Sequence, residues 1–266
     1  MRLSLGKLAL PVYAVIAFIY LLIPILYTFV FSFNDSLKTN LIWRGFTFDK
    51  WTNVCQREGV CEAFTNSVFI GLISTIVATA LGTAIAIALV RYRFKFRSSI
   101  NLLLFLPMAT PEVVLGAGLA SQFFNLGVQK GIWTIIIAHI MFCLSFVVVT
   151  VKARVASLDP ALEEAGRDLY ANPRQVFWKI TFPLLLPGIS AAALLSFALS
   201  FDDFIITNFN AGADMTFPRY VYTAAARGVP AEANVIGCAV FLLAIFIVLA
   251  TQINSEVKRK RLAKKH

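Results

Sequence analysis

The sequence predicts an all-α polytopic membrane protein with six transmembrane helices. Hydrophobic residues make up 59% of its 266 residues and charged residues only 14%, a balance too apolar for a soluble globular domain. Apolar runs recur along the chain, and each is long enough to cross a bilayer, which takes about twenty helical residues. Basic residues are concentrated in alternate connecting segments, as expected for a protein that crosses the membrane repeatedly.

The six predicted spans are residues 8–33, 63–90, 98–124, 131–151, 184–207 and 234–253. The first span is too long for a signal peptide and lacks an Ala-x-Ala site, so we expect it to remain as an uncleaved anchor. The chain then divides into a first helix with an outer loop (1–62), a core (63–253) that includes a long loop at 152–183, and a basic tail (254–266).

The distribution of basic residues sets the expected orientation. With both termini in the cytoplasm, 17 of the 24 lysines and arginines fall on the inner side of the membrane. The net charge of +10 is therefore interpreted as a topology signal rather than as a nucleic-acid-binding surface.

Two spans carry distinctive patterns. The second places Ala78, Gly82 and Ala86 at four-residue spacing, which lets helix backbones approach closely and predicts a central position. The third contains Pro107 and Pro111, so we expect a break near mid-membrane, followed at once by Glu112. Such breaks persist where protein or a water-filled cavity satisfies the freed backbone groups.

The loop at 152–183 is too long for a simple connector and predicts a docking surface for another protein. Asp159-Pro160 and Asn172-Pro173 each place a capping side chain before a proline, which predicts two helix starts. The loop resembles the EAA loop of permease subunits of binding-protein-dependent ABC importers. The resemblance lies in Glu164-Ala165-Gly166, followed at fixed spacing by Tyr170 and by Ile180 to Pro183.

The spacing of that loop matches the family pattern, but three letters depart from it. Gly166 replaces an alanine, Tyr170 replaces a glycine and Phe182 replaces a leucine. Glycine tolerates a positive φ that tyrosine disfavours, so the turn geometry at Tyr170 is left open by the sequence. The resemblance assigns ATPase coupling to six residues of this loop: Glu163, Glu164, Ala165, Gly166, Tyr170 and Pro183.

Several further segments are similar to the C-type permease of the spermidine/putrescine branch of that family: Gly45-Phe46-Thr47 with Trp51, Arg91-Tyr92-Arg93-Phe94, Pro111-Glu112-Val113-Val114, and Ser200-Phe201-Asp202-Asp203. The resemblance covers residues 63–253 and implies the MetI-like fold of type I importers. It also implies a homologous second permease, two ATPase subunits and an external substrate-binding protein as partners. The chain has no Gly-x-x-x-x-Gly-Lys-Ser/Thr loop, so ATP and Mg are expected in the partner ATPase and no cofactor here.

Acidic side chains in or beside the spans are the candidate substrate pathway. Asp202 and Asp203 point about 100° apart on a helix, so one is expected to face the route while the other caps, pairs or contacts the second permease. Carboxylates and aromatic faces suit a polyamine through ion pairs and cation–π contacts. The predicted pathway residues are Trp51, Glu112, Ser200, Asp202, Asp203 and Glu232, although Glu232 alternatively caps the sixth helix.

The remaining candidates are given structural interpretations. His139 has no second histidine nearby and is expected to be a hydrogen-bonded packing residue, with no metal site and no convergent His/Asp/Ser cluster. Ser200 either shares hydrogen bonds with Asp203 or bonds its own backbone. Cys55 and Cys61 lie in the outer loop, and the sequence does not decide whether they form a disulfide or remain two free thiols. Cys143 and Cys238 are expected to pack within spans.

The sequence thus predicts a non-catalytic permease subunit in a bacterial inner membrane, with both termini cytoplasmic. It is expected to move polyamines inward by alternating access, driven by a separate ATPase. Other cargoes remain open: another organic cation, iron or a sugar phosphate. A membrane enzyme is disfavoured because no catalytic cluster is expected, and an ion channel because it needs no ATPase-docking loop.

Overall fold

A computed structural model describes residues 5–36, 40–226 and 228–263, with side chains described except at 5–9, 248 and 250–263. These ranges contain helices, turns and one isolated bridge between Asn34 and Phe46, which confirms the all-α prediction. The basic tail predicted at 254–266 lies outside the described side chains, and residues 264–266 lie outside the described chain.

The described helices are, in chain order, α1 Leu5–Phe31, α2 Asp49–Thr52, α3 Val60–Arg91, α4 Arg97–Ala109, α5 Glu112–Asn125, α6 Ile132–Ala156, α7 Ala161–Asp168, α8 Pro173–Val176, α9 Phe182–Asp202, α10 Ile205–Asn210, α11 Phe217–Ala225 and α12 Ala231–Ala263. A short 3-10 turn, Val54–Gln56, follows α2, and a π-helical turn, Phe177–Thr181, joins α8 to α9. The chain forms two compact units: a terminal unit of residues 1–61 and 221–266, and a central unit of residues 62–220.

Four described helices are long and apolar enough to cross a membrane: Leu10–Phe31, Val60–Arg91, Ile132–Ala156 and Pro173–Asp202. A fifth crossing is formed if α4 and α5 count as one broken span. The apolar part of α12 that the structure describes, Ala231–Ile247, is shorter, so the sixth span remains a prediction.

The predicted third span, 98–124, is not a straight helix. Its two halves, α4 and α5, meet at an angle of 107°. The break lies at Pro111, whose missing N–H prevents the helix from continuing, while Pro107 stays inside α4. Thr110 closes α4 by donating both its N–H and its hydroxyl to the Leu106 carbonyl. The predicted break is therefore present, and it is sharper than a kink.

The predicted fifth span, 184–207, has different limits in the structure. The helix begins at Pro173, where Asn172 and Gln175 form a reciprocal capping box with contacts of 2.8 and 3.0 Å. It continues through the π-helical turn and ends at Asp202. The second helix start in the loop is thus the beginning of a membrane span. At the other end, Asp203 leaves the helix because it caps α10.

The core of the central unit lies where α6 packs along α9 and against α3. Ala78 and Ala86 are fully buried there, as the small-residue spacing predicts. A Cβ added at Gly82 would lie 2.5 Å from Val147 Cγ1, so only glycine permits this approach of α3 to α6. Cys143 is also buried in this core. The central packing predicted for the second span is therefore present.

In the terminal unit, α1 packs against α12, but the apolar window of α1 has none of its residues buried. Such a surface is suited to lipid or to another protein chain. The loop after α1 is organised by Asn34, which bonds Asn40 Oδ1 at 2.7 Å, and by stacking of Trp51 on Phe33. Cys55 and Cys61 are joined in a disulfide, whereas Cys238 is a buried free thiol.

Candidate functional site

The two neighbouring aspartates at the end of α9 have different environments. Asp203 is buried, and its carboxylate accepts from the N–H groups of Ile206 (3.3 Å) and Thr207 (2.8 Å) at the start of α10. The Thr207 hydroxyl donates to the same carboxylate at 2.9 Å. Asp203 therefore acts as a helix cap inside the membrane region, which holds the α9–α10 break in place.

His139, in the middle of α6, completes this arrangement. Its Nδ1 lies 2.7 Å from Ser200 Oγ, and its Nε2 lies 3.2 Å from Asp203 Oδ2 and 3.1 Å from Thr207 Oγ1. With Asp203 as a carboxylate, one proton arrangement satisfies His139, Ser200, Asp203 and Thr207 together. The Ser200 hydroxyl donates to Nδ1, while Nε2–H and the Thr207 hydroxyl both donate to Asp203. The expectation of a hydrogen-bonded packing histidine is thus confirmed.

The expectation that no His, Asp and Ser side chains converge was wrong, because the sequence alone does not show that α6 faces the end of α9. The cluster nevertheless lacks the features of a hydrolytic triad. His139, Ser200 and Asp203 are only 1%, 4% and 8% exposed, so a substrate carbonyl has no access to the serine. The ring also bonds the serine through Nδ1 and the aspartate through Nε2, the reverse of the catalytic arrangement.

Asp202 is exposed, in contrast to Asp203, and no other described residue donates a hydrogen bond to its carboxylate. Glu112, the first residue of α5, is also exposed and lies within electrostatic range of both aspartates. Close packing of α5 on α10 brings these groups together: Asn210 donates to the Gly116 carbonyl at 3.3 Å. The helix breaks thus gather three carboxylates, of which two are open.

The two remaining pathway candidates lie in the terminal unit and have partners there. Glu232, in the first turn of α12, pairs with Lys50 Nζ at 3.2 Å. Trp51 stacks on Phe33 and directs its Nε1 to Ser32 Oγ at 3.3 Å. Their local contacts give Glu232 a structural counter-ion and Trp51 a packing role, whereas Asp202 has neither.

The coupling residues divide between the two faces of α7. Glu163 faces inward: its Oε1 lies 2.8 Å from Arg91 Nη2, at the end of α3, and accepts from Thr181 Oγ1 at 3.0 Å, next to the start of α9. Glu164 and Ala165 are exposed. The inner face of α7 is therefore fastened to two membrane helices, and its outer face is open.

Close packing reinforces that attachment. Gly166 is buried, and a Cβ there would lie 2.5 Å from Ile180 Cδ1. An alanine at this position would therefore require the end of the Ile180 side chain to move. Arg154 of α6 donates through Nε and Nη2 to the Leu184 carbonyl at 2.9 and 2.8 Å, which fixes the start of α9. Pro183, in the first turn of α9, is exposed.

Tyr170 adopts a positive φ of 61°, so the turn keeps the backbone conformation that glycine would allow. The Ala171 N–H bonds the Gly166 carbonyl at 3.2 Å and the Tyr170 N–H bonds the Arg167 carbonyl at 2.9 Å. These are the two bonds of a Schellman motif, in which glycine is usual at the left-handed position. The motif overrides the side-chain preference, at a cost of about 1–2 kcal/mol for a non-glycine residue.

Two residues of these clusters were missed in the sequence, and a third was named without its partners. The role of Arg91 depends on its tertiary contact with Glu163. The role of Thr207 depends on the end of the helix at Asp203, where its N–H and hydroxyl meet the Asp203 carboxylate. His139 was expected to be a hydrogen-bonded packing residue, but its partners Ser200, Asp203 and Thr207 were not predicted. Its position inside an apolar span was the available signal, because an intramembrane polar side chain needs a hydrogen-bonding partner.

Comparison with known proteins identifies the family. Residues 78–255 match the binding-protein-dependent transport system inner membrane component family. The chain is 34% identical over 260 residues to the spermidine/putrescine transport system permease protein PotC of Escherichia coli K12, covering 97% of this chain and 96% of that protein. It is also 32% identical to the putrescine transport system permease protein PotI of the same strain, covering 82% and 80% of the two chains.

Solved structures show the same fold at low sequence identity. A bacterial ABC transporter involved in alginate import aligns with a TM-score of 0.65 at 17% identity, over 96% of this chain and 98% of that chain. The MetNI methionine ABC transporter aligns with a TM-score of 0.55 at 17% identity, over 76% and 93%. The MetI-like permease fold is thereby confirmed, and the chain belongs to the family of binding-protein-dependent transport system inner membrane components.

Proposed function

We propose that this chain is a permease subunit of an ABC importer that moves polyamines into the cell. The observation that carries the proposal is the open carboxylate of Asp202 at the end of a membrane helix, with Glu112 nearby and no cation among the described residues paired with either. Carboxylates left open beside a membrane helix break are costly unless they serve a cargo or an ion. The names of the relatives support the same choice.

The charge of this site selects among the cargoes left open by the sequence. Three carboxylates repel a sugar phosphate, whereas they attract a chain that carries several ammonium groups. Only Asp202 and Glu112 are open, because the donors around Asp203 already satisfy its oxygens. We assign Asp202 and Glu112 to direct cargo contact, and Asp203 to holding the helix break. Two separated acids also favour release, since they form no tight cage.

Energy reaches this site through one continuous helix. The helix Pro173–Asp202 contains 30 residues, and at 1.5 Å per residue it is about 45 Å long. It begins beside the coupling helix α7 and ends at the open carboxylate. Because Glu163 fastens α7 to Arg91 and Thr181, a rigid-body shift of α7 moves this helix as well.

The partners follow from this division of labour. A separate ATPase, holding ATP and Mg, docks on the outer face of α7. A homologous second permease completes the route, and an extracytoplasmic binding protein delivers the cargo. We place both termini and α7 on the cytoplasmic side, which agrees with the concentration of basic residues in the segments around α7.

Uptake of labelled spermidine and putrescine tests the proposal directly. The complete assembly is reconstituted in proteoliposomes with ATP inside and binding protein outside. ATP-dependent accumulation of either polyamine is expected, and competition by excess unlabelled polyamine should abolish it. An assembly that hydrolyses ATP in response to a different cargo, and accumulates no polyamine, would assign the transporter to that cargo.

A further inference from the structure

We propose that Leu169 and Tyr170 form an apolar anchor through which this permease selects its own ATPase. We call this pair the anchor. The inference rests on the proposed function, because it takes the ATPase as the occupant of the outer face of α7. It goes further by assigning a contact to a position where the family usually has glycine and therefore no side chain.

The backbone at Tyr170 is the first reason. Its left-handed conformation is held by the two Schellman bonds and would be adopted without strain by glycine. A tyrosine at this position is disfavoured within the isolated chain. Strained conformations of this kind persist where a side chain has a role that glycine cannot supply.

The exposure of the anchor is the second reason. Tyr170 is 98% exposed and Leu169 is 81% exposed, the highest values among the exposed large hydrophobic side chains of the described chain. At 98% exposure, the Tyr170 ring and phenol have almost no surface in contact with the rest of the described chain. The two backbone hydrogen bonds hold the turn whatever the side chain is, so nothing within the described chain gives the tyrosine side chain itself a role, and we look for that role in a partner.

The position of the anchor points to the ATPase. It lies at the end of α7, whose inner face is fixed by Glu163 and by the burial of Gly166. Its neighbours on the outer face are charged: Glu164, Arg167 and Asp168. An aromatic and aliphatic pair ringed by charged groups is the composition of a protein–protein hot spot, with an apolar centre and a polar rim. The partner surface should offer an apolar recess flanked by charges.

Three substitutions at Tyr170 separate the ring from the strain. Tyr170→Ala removes the ring but keeps a side chain with unfavourable φ, Tyr170→Gly removes both, and Tyr170→Phe keeps the ring. Leu169→Ala tests the second member of the anchor. Phe124→Ala serves as a matched control, because Phe124 is 79% exposed but lies at the end of α5, away from α7 in sequence.

The full-length permease pair is placed in nanodiscs, and the dissociation constant for its complex with the purified ATPase subunit of this transporter is measured. The melting temperature of each variant is measured as well. We expect Tyr170→Ala and Tyr170→Gly to weaken binding by about tenfold or more. Tyr170→Phe and Phe124→Ala should stay within about threefold of the parent. Tyr170→Gly should also melt higher than Tyr170→Ala, because only glycine relieves the strain.

Three outcomes count against the anchor. If Tyr170→Ala binds the ATPase as tightly as the parent, the anchor is excluded. If Tyr170→Ala and Leu169→Ala change the partition of the permease between lipid compositions and leave ATPase affinity unchanged, the pair is a membrane contact instead. If Phe124→Ala weakens binding equally, the effect is not specific to the anchor. Failure of the unsubstituted permease to bind any ABC ATPase would overturn the proposed function itself.

Discussion

Asparagine substitutions at Asp202 and Asp203 should have opposite consequences, although the two residues are adjacent. Asp203→Asn replaces one carboxylate oxygen by an NH2 group that faces donors. Oδ2 accepts from the Thr207 N–H and hydroxyl and from His139 Nε2, and Oδ1 accepts from the Ile206 N–H at 3.3 Å, so an NH2 group at either position faces at least one donor. Asp202→Asn changes an exposed group that receives no hydrogen bond from another described residue.

The expected magnitudes follow from these contacts. Loss of a helix cap costs about 1 kcal/mol, and leaving a buried donor without an acceptor costs about 1–3 kcal/mol. Because these contributions overlap, we expect Asp203→Asn to lower the free energy of unfolding by about 1–3 kcal/mol in total. At about 2–4 °C per kcal/mol, that is a fall in melting temperature of at least about 2 °C. Asp202→Asn should stay within about 0.5 kcal/mol of the parent.

The assay pairs thermal unfolding in detergent with polyamine uptake in proteoliposomes, measured below the melting temperature of every variant. Asp202→Asn should retain the parent's melting temperature and lose most uptake. Asp203→Asn should lose stability, and the correctly folded fraction should retain measurable uptake. The reasoning is refuted if Asp203→Asn melts like the parent, or if Asp202→Asn transports normally.

Three further substitutions test the rest of the structure. Glu163→Gln should weaken the interaction with Arg91 by about 1–2 kcal/mol. It should lower the amount of polyamine taken up per ATP hydrolysed, while the affinity for the ATPase changes little. An unchanged ratio of uptake to ATP hydrolysis would contradict the coupling role of Glu163. Gly82→Ala should destabilise the permease by about 1–3 kcal/mol because the added Cβ has no space beside Val147. Gly118→Ala is the control and should not destabilise it, because a Cβ there meets no atom within 4 Å. Equal melting temperatures for the two variants would contradict the packing of α3. Glu164→Cys should react with a membrane-impermeant maleimide only from the cytoplasmic side; labelling from outside would reverse the topology.

Features governed by local sequence could be predicted well. Apolar length located the membrane helices, the proline at 111 located the break before α5, and Asn172-Pro173 located a helix start. These features depend on backbone chemistry and on neighbours within one turn. The end of α9 was placed too late because the chain stays apolar beyond Asp203, and only the capping of α10 shows where the helix stops.

Features governed by contacts between distant segments could not be predicted. The different roles of Asp202 and Asp203 depend on His139, 64 residues away from Asp203 in the chain. The inward orientation of Glu163 depends on Arg91, which is 72 residues away. Tyr170 illustrates the reverse case, because a local preference against positive φ was overridden by the hydrogen bonds that end α7.

The most direct test of the central claim is ATP-driven uptake of labelled spermidine by the complete assembly, with the parent chain and Asp202→Asn compared at equal protein and equal ATPase content. We expect concentrative uptake by the parent and a loss of at least about tenfold in the variant, with the melting temperature unchanged. Equal uptake by the two assemblies would contradict the assignment of Asp202 to the cargo. Absence of polyamine uptake by a parent assembly that is otherwise active would contradict the proposed function.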